Sequence, residues 1–183
     1  MKTPITLFLL GLMMLAITSC QKTKDDINDL TEFDIDYSTK VTVPSLSTGT
    51  TVAIDTSIIM TTPQIPTQMA SKSASAKTAI SLIDQIKLTK FNISTSGSNL
   101  NFLKSLSISI KTDAADVAVA TVTNIPTNVT SVSATLSDVN IKTPMTKDNM
   151  QFKITASFSS LPDSTQSSLK LDQTVHVKGK KIN

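Results

Sequence analysis

The chain is 183 residues long, enough for one domain with a sizeable core, and has a formal net charge of +3 with aromatics at only 4%. All its basic residues are lysine and tryptophan is absent, so the clustered Lys/Arg and stacking aromatics of a nucleic-acid binder are missing. Cys20 is the single cysteine, which excludes an intrachain disulfide and leaves packing to stabilise the folded part.

Residues 1–19 read as a secretory signal. Lys2 is the only charge before Lys22, an apolar run follows from Ile5 to Ile17, and small or polar residues lead to Cys20. The run is too short for a comfortable transmembrane helix, which needs about 20 apolar residues. Leu15-Ala16-Ile17-Thr18-Ser19-Cys20 resembles a bacterial lipobox, in the looser form ending Ser-Cys found in Bacteroidota. It departs from Leu-Ala-Gly-Cys at Ile17 and Thr18. The resemblance implies a diacylglyceryl thioether on Cys20, cleavage just before it and acylation of the new amino group. One acyl chain anchors a protein only marginally, whereas two or three hold it stably.

Residues 20–40 are expected to be a lipidated acidic tether. Asp25, Asp26, Asp29, Glu32, Asp34 and Asp36 lie here, and such a segment buries too little apolar surface to fold alone. It reads either as a solvated spacer or as an address. Gln21-Lys22 followed by acids resembles the signal that exports Bacteroidota lipoproteins to the cell surface, although Thr23 and Lys24 interrupt it.

Residues 41–183 are expected to form one all-β domain, an antiparallel β-sandwich (immunoglobulin-like or similar) with at most one short helix. Apolar residues alternate with Ser and Thr at period two. Val41 and Val43 begin the pattern and Val52, Ile54, Ile58 and Ile59 continue it. Ile86 and Leu88 lie on one phase, Phe91 and Ile93 on the other. That slip predicts a bulge near Thr89-Lys90, or a strand changing sheets. Leu106, Ile108 and Ile110 share a face. Val117 and Val119 follow, with Ala118, Ala120 and Val122 opposite. Val132, Ala134 and Leu136 make another face, and Phe152, Ile154, Ala156 and Phe158 the clearest one. Leu169, Leu171, Val175 and Val177 close the set, broken by Gln173. Strands at this spacing argue for a sandwich.

Turns are expected at Ser96 to Asn99, Lys111 to Asp113, Asn124 to Asn128, Thr143-Pro144 and Leu161 to Ser164. Ser73 to Gln85 carries Ala76, Ala79, Ile80 and Ile83 at helical spacing, with Ser73 or Ser75 as a cap; the alternative is a loop. Thr61 to Lys72, with Pro63 and Pro66, reads as a long connection and the best candidate for disorder within the domain. The last hundred residues or so resemble small Bacteroidota lipoproteins of no settled activity. The likeness is carried by Asn101-Phe102-Leu103-Lys104-Ser105-Leu106, Asn124-Ile125-Pro126 and Leu136-Ser137-Asp138-Val139-Asn140-Ile141. It implies a β-sandwich and supplies no site residues.

No catalytic residue, metal site or cofactor is expected. His176, the only histidine, alternates with Val175 and Val177 and should face solvent beside Lys178, Lys180 and Lys181. Metal sites usually need several His or Cys at set spacings. Asp113 with Asp116, or Asp84 with Asp138, are the carboxylates open to pairing, the arrangement glycosidases use, but loop aspartates are mostly solvated. Asp34-Ile35-Asp36 lacks the glycine of a calcium loop. There is no glycine-rich phosphate loop and no Gly-x-Ser-x-Gly elbow. Asn92-Ile93-Ser94 and Asn128-Val129-Thr130 match the N-glycosylation pattern. Asp163-Ser164-Thr165 resembles a Bacteroidota O-glycosylation motif, making Ser164 a candidate.

The expected function is a non-enzymatic lipoprotein held in the outer membrane by lipid on Cys20, on its surface or periplasmic face. It would bind an envelope protein or assist envelope assembly, with no nucleic-acid partner. A protein fits better than a glycan, because tryptophan is absent and the one tyrosine, Tyr37, falls in the tether. The alternatives are a periplasm-facing lipid-binding or transfer lipoprotein, which would need an apolar cavity or patch, and an enzyme.

Overall fold

Period-two alternation becomes strand wherever one face can be buried, and this decides most of the chain. The computed structural model describes residues 32–44, 57–76, 78–95, 99–160 and 168–180. The signal peptide, Cys20, residues 20–31 of the expected tether, Val52, Ile54, most of the turn at 96–99 and Ser164 lie outside the described residues.

The strands are β1 (Glu32–Thr42), β2 (Ser57–Thr61), β3 (Ile65–Pro66), β4 (Ile83–Thr95), β5 (Leu103–Ile110), β6 (Val117–Thr123), β7 (Ser131–Ser133), β8 (Thr135–Leu136), β9 (Asn149–Met150), β10 (Phe152–Phe158) and β11 (Ser168–Gly179). Sheet A runs β1-β11-β4-β7, sheet B runs β2-β10-β5-β6-β8, and β3 pairs with β9. Every recorded pairing is antiparallel. Leaving aside the two-residue strands β3, β8 and β9, the first strand pairs with the last (β1·β11), the second with the last but one (β2·β10), then β4·β7 and β5·β6. This is one long hairpin folded at the β5–β6 turn and rolled into two facing sheets, a jelly roll. The expected antiparallel sandwich is present, and its topology is the jelly roll rather than the immunoglobulin arrangement.

The core lies between the sheets. Phe91 of β4 and Phe152 of β10 meet edge to face across it, with centroids 5.4 Å apart at 83°. Phe102 stacks on Phe158 at 6.1 Å. Phe152, Ile154, Ala156 and Phe158 are all buried, as their alternation requires, and so are Leu169, Leu171, Val175 and Val177. The slip at Thr89-Lys90 is a bulge: Thr174 faces Lys90 but Val175 faces Leu88, which leaves Thr89 without a cross-strand partner in the register. A second bulge at Ile108/Ser109 places Val119 and Ala120 in the core together, so the two faces expected of β6 are not separate. Val132 and Leu136 sit on strands of different sheets, where the chain crosses from A to B.

Three expectations are corrected. Residues 32–40 are not tether: β1 pairs with β11 over its whole length without a register shift, from Glu32↔Lys178 to Thr42↔Ser168. Its acids occupy the solvent phase, while Ile35, Tyr37 and Val41 occupy the buried one. Thr61 to Lys72 is built structure, containing β3 and the start of helix α1 (Met69–Ser75), with Thr62, Ile65, Thr67 and Met69 buried. Helix is confined to α1, a short 3-10 turn (Ile80–Leu82) and α2 (Lys142–Met145) among the described residues. Of the helix expected over Ser73 to Gln85 only the end of α1 and the 3-10 turn form, Ile83 is already strand, and α2 is a second helix where at most one was expected.

Candidate functional site

Two neighbouring clefts open where the β5–β6 loop meets α2 and β9. The loop is shaped by Thr112, whose Oγ1 donates to the Ala115 carbonyl at 2.7 Å and accepts from the Ala115 amide at 3.2 Å. The α2 side is fixed by Asn140, whose Oδ1 accepts from the Ile86 and Lys142 amides at 3.1 Å each. The Ile141 amide donates to the Ile86 carbonyl at 2.8 Å, and Pro144 and Met145 are buried beneath. Thr67 secures the floor. Its Oγ1 donates to the Lys147 carbonyl at 2.6 Å and its amide to Asp148 at 2.9 Å, while its own carbonyl accepts the Tyr37 hydroxyl.

One cleft, of about 280 Å³, is polar and lined by Gln64, Lys111, Thr112, Asn149 and Gln151 among others. The other, of about 490 Å³, is apolar, walled by Ala114, Ala115, Val117 and Pro144. Asp113 and Lys147 belong to both, and their ion pair at 2.5 Å forms the partition.

The carboxylates here are set to stay ionised. Asp113 is held below the usual carboxylate range, first by the hydrogen bond from Lys147 and then by that ammonium's charge. Asp116 is lowered likewise, chiefly by the hydrogen bond from Lys153 at 2.8 Å. Asp113 and Asp116 thus each face a lysine and not one another. Asp138 pairs with Lys87, and the Asp84 backbone carbonyl accepts from Asn140 at 3.4 Å. A general acid needs the opposite shift. What this arrangement can do is present donors, acceptors and an apolar wall to a bound chain.

His176 stands elsewhere, on the outer face of sheet A. Its Nδ1 lies 2.8 Å from Asp34 Oδ1 and its Nε2 3.7 Å from Glu32 Oε2; Lys178 completes the group at 3.3 Å from Glu32. The acids that surround it are those assigned to the tether, so the expected surroundings of lysine alone are corrected. Among the described residues, no group of three or more His, Cys, Asp or Glu is arranged to hold a metal ion.

Tyr37 is a core residue. Burial pushes its phenol well above the usual range, so it remains a hydrogen-bond donor to Thr67. Opposite it in the β1–β11 register, Gln173 is 2% exposed, and its side-chain amide has no hydrogen-bond partner among the described residues. Of the glycosylation patterns, Asn92 lies mid-strand and accepts from Ser133 at 2.8 Å. Asn128 is a positive-φ turn residue whose amide and side chain both bond Asn101.

Sequence reading named Asp113 and Asp116 as carboxylates and Pro144 only as part of a turn, and it missed Lys147 and Thr67. Nothing local marks them, because the clefts join segments far apart in the chain.

No family model matches this sequence, and no curated protein does. Among solved structures, it is similar to Desmodium yellow mottle tymovirus, at 9% identity over 83% of this chain and 90% of that one, with a TM-score of 0.28. The structure of Cocksfoot mottle virus gives 10% identity over 84% and 86%, again with a TM-score of 0.28. Overlaps this slight carry no argument; the strand order above is what defines the fold.

Proposed function

We propose that the chain is a lipid-anchored envelope protein whose jelly-roll domain works by binding a protein partner and not by catalysis. The observation that carries the anchoring is the lone cysteine, Cys20, directly after a short apolar run behind a single positive charge. The binding half is supported by the paired clefts, whose one lining carboxylate, Asp113, is paired with Lys147 and whose surface mixes polar and apolar lining without an aromatic platform for sugar rings. The shortened tether adds a constraint. Residues 21–31 reach at most about 40 Å even fully extended, so the partner lies within that distance of the membrane, or the domain's own length beyond it.

Complementation of a deletion strain tests both halves. His176→Ala should localise and complement like the wild type, whereas Cys20→Ser should be released or left unprocessed and should not complement. A correctly localised but inactive His176→Ala would reopen an enzymatic or metal-dependent role. Protease shaving of intact cells assigns the face: loss of the domain means surface display, and protection means the periplasmic side. The lipid-contacting alternative rests on the apolar cleft beside Pro144, and lipid co-purifying with the native protein and lost on Ala115→Glu would favour it.

A further inference from the structure

The four edges of sheets A and B are unlike one another. β7 and β8 end their sheets with three and two residues, and β2 with five, closed off by Pro63 soon after. Short edges of this kind are a usual protection against strand-to-strand association. β1 is different. It is eleven residues long, contains no proline or glycine, and runs beside β11 without a bulge. Among the described residues, its other side carries no strand. A regular edge of that length offers a row of backbone donors and acceptors that a further strand would satisfy.

The side chains of β1 indicate which strand. Its solvent row reads Glu32, Asp34, Asp36, Ser38, Lys40 and Thr42. Lys40 faces Lys170 across the β1–β11 ladder, a like-charge pair that is unfavourable within the chain; Lys170 turns to Asp172 at 2.8 Å, and Lys40 has no carboxylate within the described fold. Full antiparallel overlap of β1 with a second β1 has one register, pairing 32 with 42 and 37 with 37. It sets Asp34 of each copy opposite Lys40 of the other, Asp36 opposite Ser38 and Glu32 opposite Thr42. No like charges then stand directly opposite, and the inward residues Phe33, Ile35 and Tyr37 continue onto the same side of the sheet. A slip of two residues one way puts Asp36 against Asp36.

We infer that β1 is the interface with a second copy of this chain, two jelly rolls joining edge to edge through a two-fold axis at Tyr37 so that their four-stranded sheets A become one. The inference goes beyond the anchoring and binding reading and does not depend on it.

The test uses the full-length protein in mild detergent. Asp36→Cys and Ser38→Cys chains are co-produced with different tags and oxidised. Directly opposed positions lie about 4.5–5.5 Å apart, within disulfide range, whereas 36 to 36 and 38 to 38 are diagonal and too far. The mixed disulfide should therefore dominate over either like pair. Wild type, oxidised in parallel, reports any cross-link through Cys20, which separates failure of lipidation from failure of this interface. Lys40→Glu should weaken self-association at least about tenfold by facing Asp34 of the partner copy. Within its own chain the new acid faces Lys170, so the fold is kept. Lys72→Glu on α1 makes the same charge change away from β1 and should alter nothing. A monomer at every concentration reached, a dimer indifferent to Lys40→Glu, or like-pair disulfides as abundant as the mixed one would each overturn the inference.

Discussion

The outer faces of the two sheets are built from the same alternation and carry opposite chemistry. On sheet A the cross-strand rows are charged: Glu32–Lys178–Gln85, Asp34–His176–Lys87, Asp36–Thr174–Lys90, Ser38–Asp172–Asn92 and Lys40–Lys170–Ser94. On sheet B they are mostly hydroxyls: Ser57–Ser157–Ser105–Thr123, Ile59–Thr155–Ser107–Thr121 and Thr61–Lys153–Ser109–Ala118. Lys153 is the single charge in these three rows of sheet B. The difference follows from what each sheet must specify. β1 and β11 come from opposite ends of the folded chain, and a one-residue slip would turn Ile35, Tyr37 and Val41 to water. Glu32 opposite Lys178 and Asp34 hydrogen-bonded to His176 favour the correct register there, against the like pair Lys40–Lys170. Sheet B holds β10 and β5, whose inward residues are uniformly apolar and fix the register through packing.

Removing the interior shared by both sheets should have the largest effect. Phe152→Ala deletes the ring that meets Phe91 and should cost about 3–5 kcal/mol in chemical denaturation, Phe158→Ala about as much. A loss below half that would mean the faces of β10 are reversed.

That strand was fully legible in the sequence, as were β11 and the bulge in β4, because apolar alternation alone settles a strand buried on one side. β1 was not. Its acids at 32, 34 and 36 matched the composition of a disordered tether, and the interleaved Phe33, Ile35 and Tyr37 carried the strand signal that composition overrode. The segment from Thr62 to Met69 was unreadable for another reason. Ile65, Thr67 and Met69 are buried at every second position, but two of the four buried residues are threonines and Pro63 and Pro66 interrupt the run, so the alternation is not visible as an apolar one; what buries the segment is contact with β10, Tyr37 and the Lys147–Asp148 backbone. The clefts inherit that difficulty, since Asp113 gains its role only when Lys147 is brought beside it.

The second effect sharpens the contrast between the two inner faces. Sheet A alone carries a buried amide among its large inward side chains, at Gln173, with both side-chain polar atoms unpaired. Gln173→Leu should stabilise the protein by about 1–3 kcal/mol, read from the urea midpoint, since an unsatisfied buried amide costs about that much. Destabilisation would show that the amide is paired after all.

Acid titration tests the charged face and the loop carboxylates together. Asp113, Asp116 and Asp172 have folded pKa values below their unfolded ones, each lowered first by a lysine hydrogen bond. Their stabilisation is complete above the unfolded carboxylate value of about 3.9 and is lost as pH falls through the lower folded values. Lys170→Met should lower the neutral plateau, converge with wild type at the acid end, and so flatten the stability–pH curve in that acid range while leaving its slope near neutrality unchanged. A change confined to pH 6–8 would contradict the assignment. The smallest effect belongs to sheet B: Ser107→Ala in the middle hydroxyl row should shift stability by less than about 0.5 kcal/mol, as for an ordinary exposed site.

The anchoring on which the functional reading rests is tested most directly by the intact mass of the native protein purified from membranes. The reading predicts a mature chain that begins at Cys20 and carries the mass of a diacylglyceryl group, with or without a further acyl chain. A chain that begins at Gln21, or that retains Met1 without lipid, would contradict it.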